Sequence, residues 1–469
     1  MGNLWFKRVG VLLASAVVLS ACGGGGGGGD DSTSTSSLCG GPTLFVGLVY
    51  PIGLSAIQNT ATTWTPTVTG LPAACAGKAS YSLATGPLPA GMAVNGATGA
   101  VSGTPTNTGR GFFSVKLTVA GYASSITSSS VPYSVGAPPP PAVAFATKAA
   151  SIGVGTTATF SDYTVAAIGT NLYALVSTNA TGTDNYVLSL RKSTDSGATW
   201  SQDATPTGVT SLHRYSLVSN GTNLFVIGGR TTPGSVTGSA SVTYNNAVWK
   251  FTPNAVTTSP GNWATTTSSL YPSTGRESVA VAFDGASKLY AYGGADSSSI
   301  FNGVYASTDA GATWATVQGP TAYNLVANCL VANGSTLYSF GGLGFAPNTP
   351  AGTPATEKNI VLKSSDSGFT WNVIDSSMVT SPQGGTCAAI GSNLYYVGGF
   401  KSDPVLGGGV VTNRVSQSSN GGQTWFTDAA SSIFGSRAFH GMTVLANKLV
   451  VLGGFASGGG KTDVIVGTP

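Results

Sequence analysis

The chain has 469 residues, of which only 8% are charged and 67 are glycine, and its net charge is +4. So little charge beside 41% hydrophobic residues excludes a disordered polyampholyte, and the absence of any basic block interleaved with aromatics excludes nucleic acid as a partner. The length leaves room for two or three domains, and the abundance of Gly, Ser and Thr suits a turn-rich all-β protein.

Residues 1–22 read as an export leader. Lys7-Arg8 form a positive start, and Val9–Leu19 is an apolar run too short to cross a bilayer. With those two cations set aside the net charge falls to +2. Leu19-Ser20-Ala21-Cys22 then resembles a bacterial lipobox. The resemblance implies cleavage before Cys22, acylation of that cysteine, and, because Gly23 follows it, an outer-membrane address. Residues 23–38, seven glycines and a polar Asp/Ser/Thr stretch, suit a flexible tether for a lipid-anchored protein.

Residues 39–136 alternate in polarity, as in Phe113-Ser114-Val115-Lys116-Leu117-Thr118-Val119, which predicts half-buried strands. Residues 88–105, Leu-Pro-Ala-Gly-Met-Ala-Val-Asn-Gly-Ala-Thr-Gly-Ala-Val-Ser-Gly-Thr-Pro, resemble the immunoglobulin-like domains of bacterial surface proteins. In them Met92 stands for the usual leucine and Val101 for the usual isoleucine. The resemblance implies a β-sandwich and no particular chemistry. Residues 137–142 include four consecutive prolines and read as a stiff linker.

Residues 143–469 repeat. Asn393-Leu394-Tyr395-Tyr396-Val397-Gly398-Gly399 recurs in close copy at Leu224–Gly229, Leu289–Gly294, Leu337–Gly342 and Leu449–Gly454, and without glycines from Leu172. The leucine spacings of 52, 65, 48, 57 and 55 residues predict a six-bladed β-propeller, so the whole chain is all-β: a sandwich followed by a propeller. An Asn-x-Val signal follows each glycine pair or its equivalent at Asn185, Asn246, Asn302, Asn359 and Asn413. The last repeat lacks an outer strand, which Val143-Ala144-Phe145 or Thr157–Phe160 is expected to supply, closing the ring.

The glycine-pair strands resemble kelch repeats. The segments Ser193–Trp200, Ser307–Trp314 and Ser364–Trp371, and Ser418–Trp425 with Asn420 in place of the aspartate, resemble the Asp-boxes of sialidases. Turn chemistry gives Asp195, Asp309, Asp366 and Asn420, with Trp200, Trp314, Trp371 and Trp425, a structural role on outer hairpins.

Apart from Cys22 there are four cysteines, none at metal-ligand spacing. Export favours disulfides, and Cys39–Cys75 and Cys329–Cys387 are the pairings that stay within one domain. For the second pair, on innermost strands of adjacent blades, a bond and two buried thiols both remain open.

Variable loops on a repeat scaffold are where binding is expected. The polar residues placed on that face are His213, Arg214, Arg230, Arg276, Glu277, Asp296, Lys401, Asp403, Arg437 and His440. Arg437-Ala438-Phe439-His440 also resembles the Arg-x-x-His that opens many kelch repeats, which implies bonding between neighbouring loops. With only two histidines and two glutamates in the chain, no multi-histidine metal centre and no cofactor is expected. The leading expectation is a membrane-anchored binding or adhesion protein for a glycan or a protein. A carbohydrate-active enzyme, either a sialidase-like hydrolase or a sugar mutarotase resembling periplasmic kelch epimerases, would centre on Arg276-Glu277. A scaffold for an envelope complex is the third.

Overall fold

The computed structural model describes residues 39–469 apart from 155–160, 180–185, 205, 207–210, 232–241, 255–258, 268, 318–321, 351, 377–381, 404–407, 429–432 and 457–458. Cys22, the leader, the tether, Asn185, Thr157–Phe160 and the side chain of Asp403 lie outside the described residues.

The first domain packs two sheets face to face. One runs Leu54–Ile57, Val131–Gly136, Gly109–Val119, Ala79–Thr85; the other runs Thr62–Trp64, Val101–Gly103, Met92–Val94. Strand alternation sends Phe113, Val115, Leu117 and Val119 inward, where Trp64 of the facing sheet stacks on Phe113 at 6.0 Å. Met92 and Val101, the two departures from the motif, are both buried, so what the position demands is apolar volume. Asn95 holds the intervening turn by accepting the N–H groups of Ala97 and Thr98 at 2.9 and 3.1 Å. Cys39 is bonded to Cys75.

Residues 144–469 form six antiparallel sheets built on four strands each, the second carrying a fifth short strand, Thr243–Tyr244, with two smaller sheets in the loops of blades 4 and 5. Their innermost strands begin at Ser161, Leu212, Ala280, Cys329, Thr386 and Gly441, and each touches the next in a closed ring. We number the blades 1–6 in that order. Of the two closing segments expected, Ala144–Ala149 does the work, pairing antiparallel with Gly459–Thr468 as the outermost strand of blade 6. The linker end is fastened as well. Val143 N–H donates to Asp428 Oδ2 (2.9 Å), and Gln417 Nε2 donates to Pro141 O (2.9 Å).

Each interface between neighbouring blades holds its own apolar cluster, and this explains the repeat. Along the second strand of blade 1, Leu172, Ala174 and Val176 pack towards blade 6, while Tyr173 and Leu175 pack towards blade 2. A strand buried on both faces reads as a continuous apolar run.

The glycine pairs have a geometric cause. In blades 2–6 both members have positive φ, and a Cβ on Gly228, Gly293, Gly341 or Gly398 would come within 2.3–2.8 Å of a carbonyl oxygen in the next blade. The second glycine donates its N–H across the interface: Gly229 to Arg276 O (2.8 Å), Gly294 to Leu325 O (2.8 Å), Gly342 to Pro382 O (2.6 Å) and Gly399 to Arg437 O (3.0 Å). Blade 1 lacks the pair, and there the Ser177 hydroxyl donates to Leu212 O (2.7 Å) at the equivalent place. The missing glycines are thus replaced by a side chain.

Candidate functional site

Two residues beyond those carbonyls, the chain turns into the central channel through a left-handed residue in five blades: Arg214, Ser278, Ala327, Gly384 and Phe439. These lip residues form a belt. Ser278 N–H donates to Arg214 O (2.8 Å), Ala327 N–H to Ser278 O (3.3 Å), Gly384 N–H to Ala327 O (3.1 Å) and Phe439 N–H to Gly384 O (2.7 Å). In blade 1 the Asp162 carboxylate takes the N–H of Arg214 in place of a backbone carbonyl.

The belt rims a cavity of about 520 Å³ at the channel mouth, within the range of small-molecule sites. All six blades line it. Beneath lies a second cavity of about 200 Å³, lined by the next residues of the innermost strands, Cys329 and Cys387 among them. These two cysteines are bonded, with Cα atoms 5.8 Å apart.

Charge collects on blades 1–3. Glu277, almost buried, lies 3.4 Å from Arg214 Nη1 and 3.1 Å from Arg230 Nε. Arg230 directs its Nε–H at His213 Nε2 (2.9 Å), so its contact with Glu277 Oε2 is ionic and leaves that oxygen without a hydrogen-bond donor. Arg214 keeps 42% of its side chain exposed, with most of its donors free to meet a ligand. Burial raises the pKa of Asp162, outweighing the Arg214 N–H and charge, which lower it. Two carboxylates therefore share one cavity with a guanidinium.

The remaining expected residues divide. His440 lines the mouth, with Nε2 2.7 Å from Thr386 Oγ1. His213 is buried behind it, stacked on Tyr186 at 4.0 Å. Arg276 does not join the site, contrary to expectation. It is 3% exposed, with its guanidinium 3.9 Å from Phe301 and 4.2 Å from Tyr271, donating to Gly293 O and to the Tyr305 hydroxyl. Arg437 is likewise internal, bonded to Asp463, Phe434 O and Gly453 O. The two arginines do the same task in two blades, each capping the carbonyl of a first glycine, and a fully buried guanidinium is not available to a ligand. Asp296 accepts from Thr274, Ser298 and Ser299 beside a separate cavity of about 760 Å³, and Lys401 is exposed on the hairpin Phe400–Asp403 with Gly408–Val411. Neither lines the mouth cavity.

Sequence reasoning missed Asp162, Gln383, Thr386 and Phe439. Gln383 is set by Glu357, whose Oε1 accepts from Gln383 Nε2 (2.8 Å) and Ser402 N (2.7 Å), tying the loops of blades 4 and 5. Only Phe439 carried a signal, as part of Arg437-Ala438-Phe439-His440. Among the described residues no three His, Cys, Asp or Glu side chains could hold a metal ion.

The Ser-x-Asp-x-Gly-x-Thr-Trp segments lie on outer hairpins. Asp195 accepts from Ser193 Oγ (2.8 Å), Thr199 N (2.9 Å) and Thr199 Oγ1 (2.6 Å), while Trp200 Nε1 donates to Gly197 O (3.1 Å). Asp309 and Asp366 accept the same three bonds, and Asn420 accepts those from Ser418 Oγ and Thr424 N while its own amide donates to Thr424 Oγ1. The threonine hydroxyl and N–H hold the Asp309 carboxyl down at about 2. Trp200, Trp314, Trp371 and Trp425 each pack at the interface with the preceding blade.

Comparison with known proteins follows this division. Residues 46–136 match the family model described as "Putative Ig domain". Beyond that Ig match, a solved structure described as "Structure of YjhT" superposes at a TM-score of 0.51 with 17% identity, covering 68% of this chain and 97% of that one. The covered share is about that of the six-bladed segment, and at this identity the likeness concerns the fold alone. No curated protein matches the chain significantly.

The two histidines give the fold a pH dependence. Burial, helped by Arg437, lowers the pKa of His440 from 6.5 to about 3; burial, helped by Arg230 and Arg214, lowers that of His213 to about 4. Both are neutral when folded, so the stability they contribute is present above pH 6.5 and is lost as pH falls towards 3–4, where the unfolded chain binds more protons. Melting temperatures measured from pH 7 to 4 are expected to fall, and His440→Gln to flatten the slope. An unchanged slope in that variant would remove His440 from the account.

Proposed function

We propose that this is a cell-envelope binding protein, anchored to a membrane through acylated Cys22, that takes one saccharide unit of a glycan into the propeller's channel mouth. The observation that carries the reading is the joining of Asp162, Arg214 and Glu277, from three consecutive blades, in one cavity of about 520 Å³. A concave site of that size with a few convergent polar groups suits a small polar ligand better than a flat protein surface. Arg214, 42% exposed and set by Glu277 behind it, offers its free donors to hydroxyl groups.

A glycan-array screen of the full chain tests it. Selective binding is expected, weakened at least tenfold (about 1.4 kcal/mol) in Glu277→Gln and in Arg214→Ala. Full-strength binding in both variants would place the ligand elsewhere.

A second reading, a carbohydrate-active enzyme, draws on the presence of two carboxylates, Asp162 and Glu277, in one cavity. Following the bound sugar by NMR over hours separates the two: a changed anomeric ratio or a cleaved linkage supports the enzyme, and a constant spectrum supports binding alone.

A further inference from the structure

The belt exposes an anomaly in blade 6. Arg214, Ser278, Ala327, Gly384 and Phe439 all adopt φ between 52° and 62°. Glycine takes this conformation freely, small or flexible residues at modest cost, and a bulky aromatic at the greatest. Gly384 shows that the fold accepts glycine at this place, so the ring architecture does not require phenylalanine at 439. Packing does not explain it either. Phe439 is 39% exposed, while the other aromatic rings of the described mouth lining, Tyr163 and Tyr215, are buried.

The ring is nevertheless held. It lies against Gly384, where an added Cβ would come within 2.6 Å of it, so bare backbone supports one side and the cavity takes the other. In a six-membered ring, blade 6 stands across the channel from blade 3, which carries Glu277. The mouth therefore sets one exposed aromatic ring across from the Arg214–Glu277 pair, with Asp162 on the blade next to the ring. A pyranose has this same division, a C–H face that is apolar and a rim of hydroxyl groups. Strained backbone retained at a cavity points to function.

We propose that Phe439 is the stacking platform of the mouth and that the ligand is a pyranose presenting an apolar ring face, with Arg214, held by Asp162 and Glu277, meeting its hydroxyl rim. This rests on the glycan reading above and names the chemical class within it. Phe439 acts as a specificity-determining residue: a sugar with an axial hydroxyl on the stacked face would lose the contact.

Saturation-transfer NMR on the full chain, with methyl glucoside, galactoside, mannoside and N-acetylglucosaminide as probes, tests the assignment beside Phe439→Leu, Phe439→Trp and Phe439→Gly. The expected result is transfer to the ring protons of at least one probe, affinity reduced at least tenfold in the Leu and Gly variants, and affinity retained by Trp. The Gly variant is also expected to melt at or above the wild-type temperature, since it relieves the left-handed strain. Wild-type affinity in Phe439→Leu would overturn the platform and leave the glycan reading intact. A Gly variant melting well below the wild type would assign the ring to packing and overturn it as well. No transfer to any probe would overturn the pyranose class, and a blank glycan array would extend that failure to the glycan reading itself.

Discussion

Replacing Arg437 by alanine is expected to destabilise the propeller by about 3–5 kcal/mol, the cost typical of removing one partner from a buried ion pair. The guanidinium has no exposed surface and ties three segments of the closing blade. It donates to Asp463 Oδ1 and Oδ2 at 2.9 and 3.0 Å, to Phe434 O at 2.6 and 2.9 Å, and to Gly453 O at 3.0 Å. Alanine would leave two buried carbonyls and a largely buried carboxylate short of donors, each of them costly to strand. Because blade 6 is where the two ends of the propeller meet, the loss falls on ring closure. A lysine should rescue little, since it cannot present the planar fork that the Asp463 carboxylate accepts. Thermal or urea unfolding of the wild type, Arg437→Ala and Arg437→Lys provides the measurement. An alanine variant melting within a degree or two of the wild type would show that the buried pair contributes nothing net. Any Arg437→Ala protein that remains folded should still bind ligand, which separates this arginine from Arg214.

That separation was not legible in the sequence. Arg276 and Glu277 are adjacent, and both looked equally placed for the channel. Successive side chains of extended chain point to opposite sides, so Glu277 reaches the mouth while Arg276 turns into a cage of Tyr271, Phe301 and Tyr305. In blade 2 the left-handed residue is Arg214 itself, which lines the mouth, while His213, at the place of Glu277 in the repeat, is buried behind it. A strand pattern fixes alternation, but a single positive φ resets which face each neighbour meets, and nothing in residues such as Ser278 or Ala327 announces it. Asp162 was invisible for another reason. It acts where blade 1 departs from the repeat, supplying a carboxylate for a carbonyl that the other blades provide from backbone. What was legible depended on burial and closure. The strand beginning at Leu394 is apolar on both faces because both face a neighbouring blade, the glycine pairs report carbonyls too close for a Cβ, and the missing outer strand of blade 6 demanded a donor that Ala144–Ala149 supplies. Such constraints act over a whole repeat, whereas site geometry turns on one torsion angle.

The second large effect is expected from the bond between Cys329 and Cys387. It joins innermost strands of blades 4 and 5 and closes a loop with a sequence separation of 58 residues. Restricting the unfolded chain over a loop of that length contributes about 4 kcal/mol in the chain-entropy model. The thiols also sit one residue beyond Asn328 and Thr386, both of which line the mouth, so the staple fixes the spacing of two cavity walls. Cys329→Ser with Cys387→Ser should therefore lower the melting temperature by several degrees and weaken ligand binding, although neither residue lines the upper cavity. Comparing melts with and without reductant isolates the bond from the substitutions. Reductant should lower the wild-type value by at least as much as the double substitution does. In the double variant it should produce only the smaller change due to Cys39–Cys75, which lies in the sandwich rather than the ring. Equal reductant effects on both proteins would mean that the blade 4–blade 5 bond carries no stability, and its loop entropy would then have to be cancelled by strain in the folded ring.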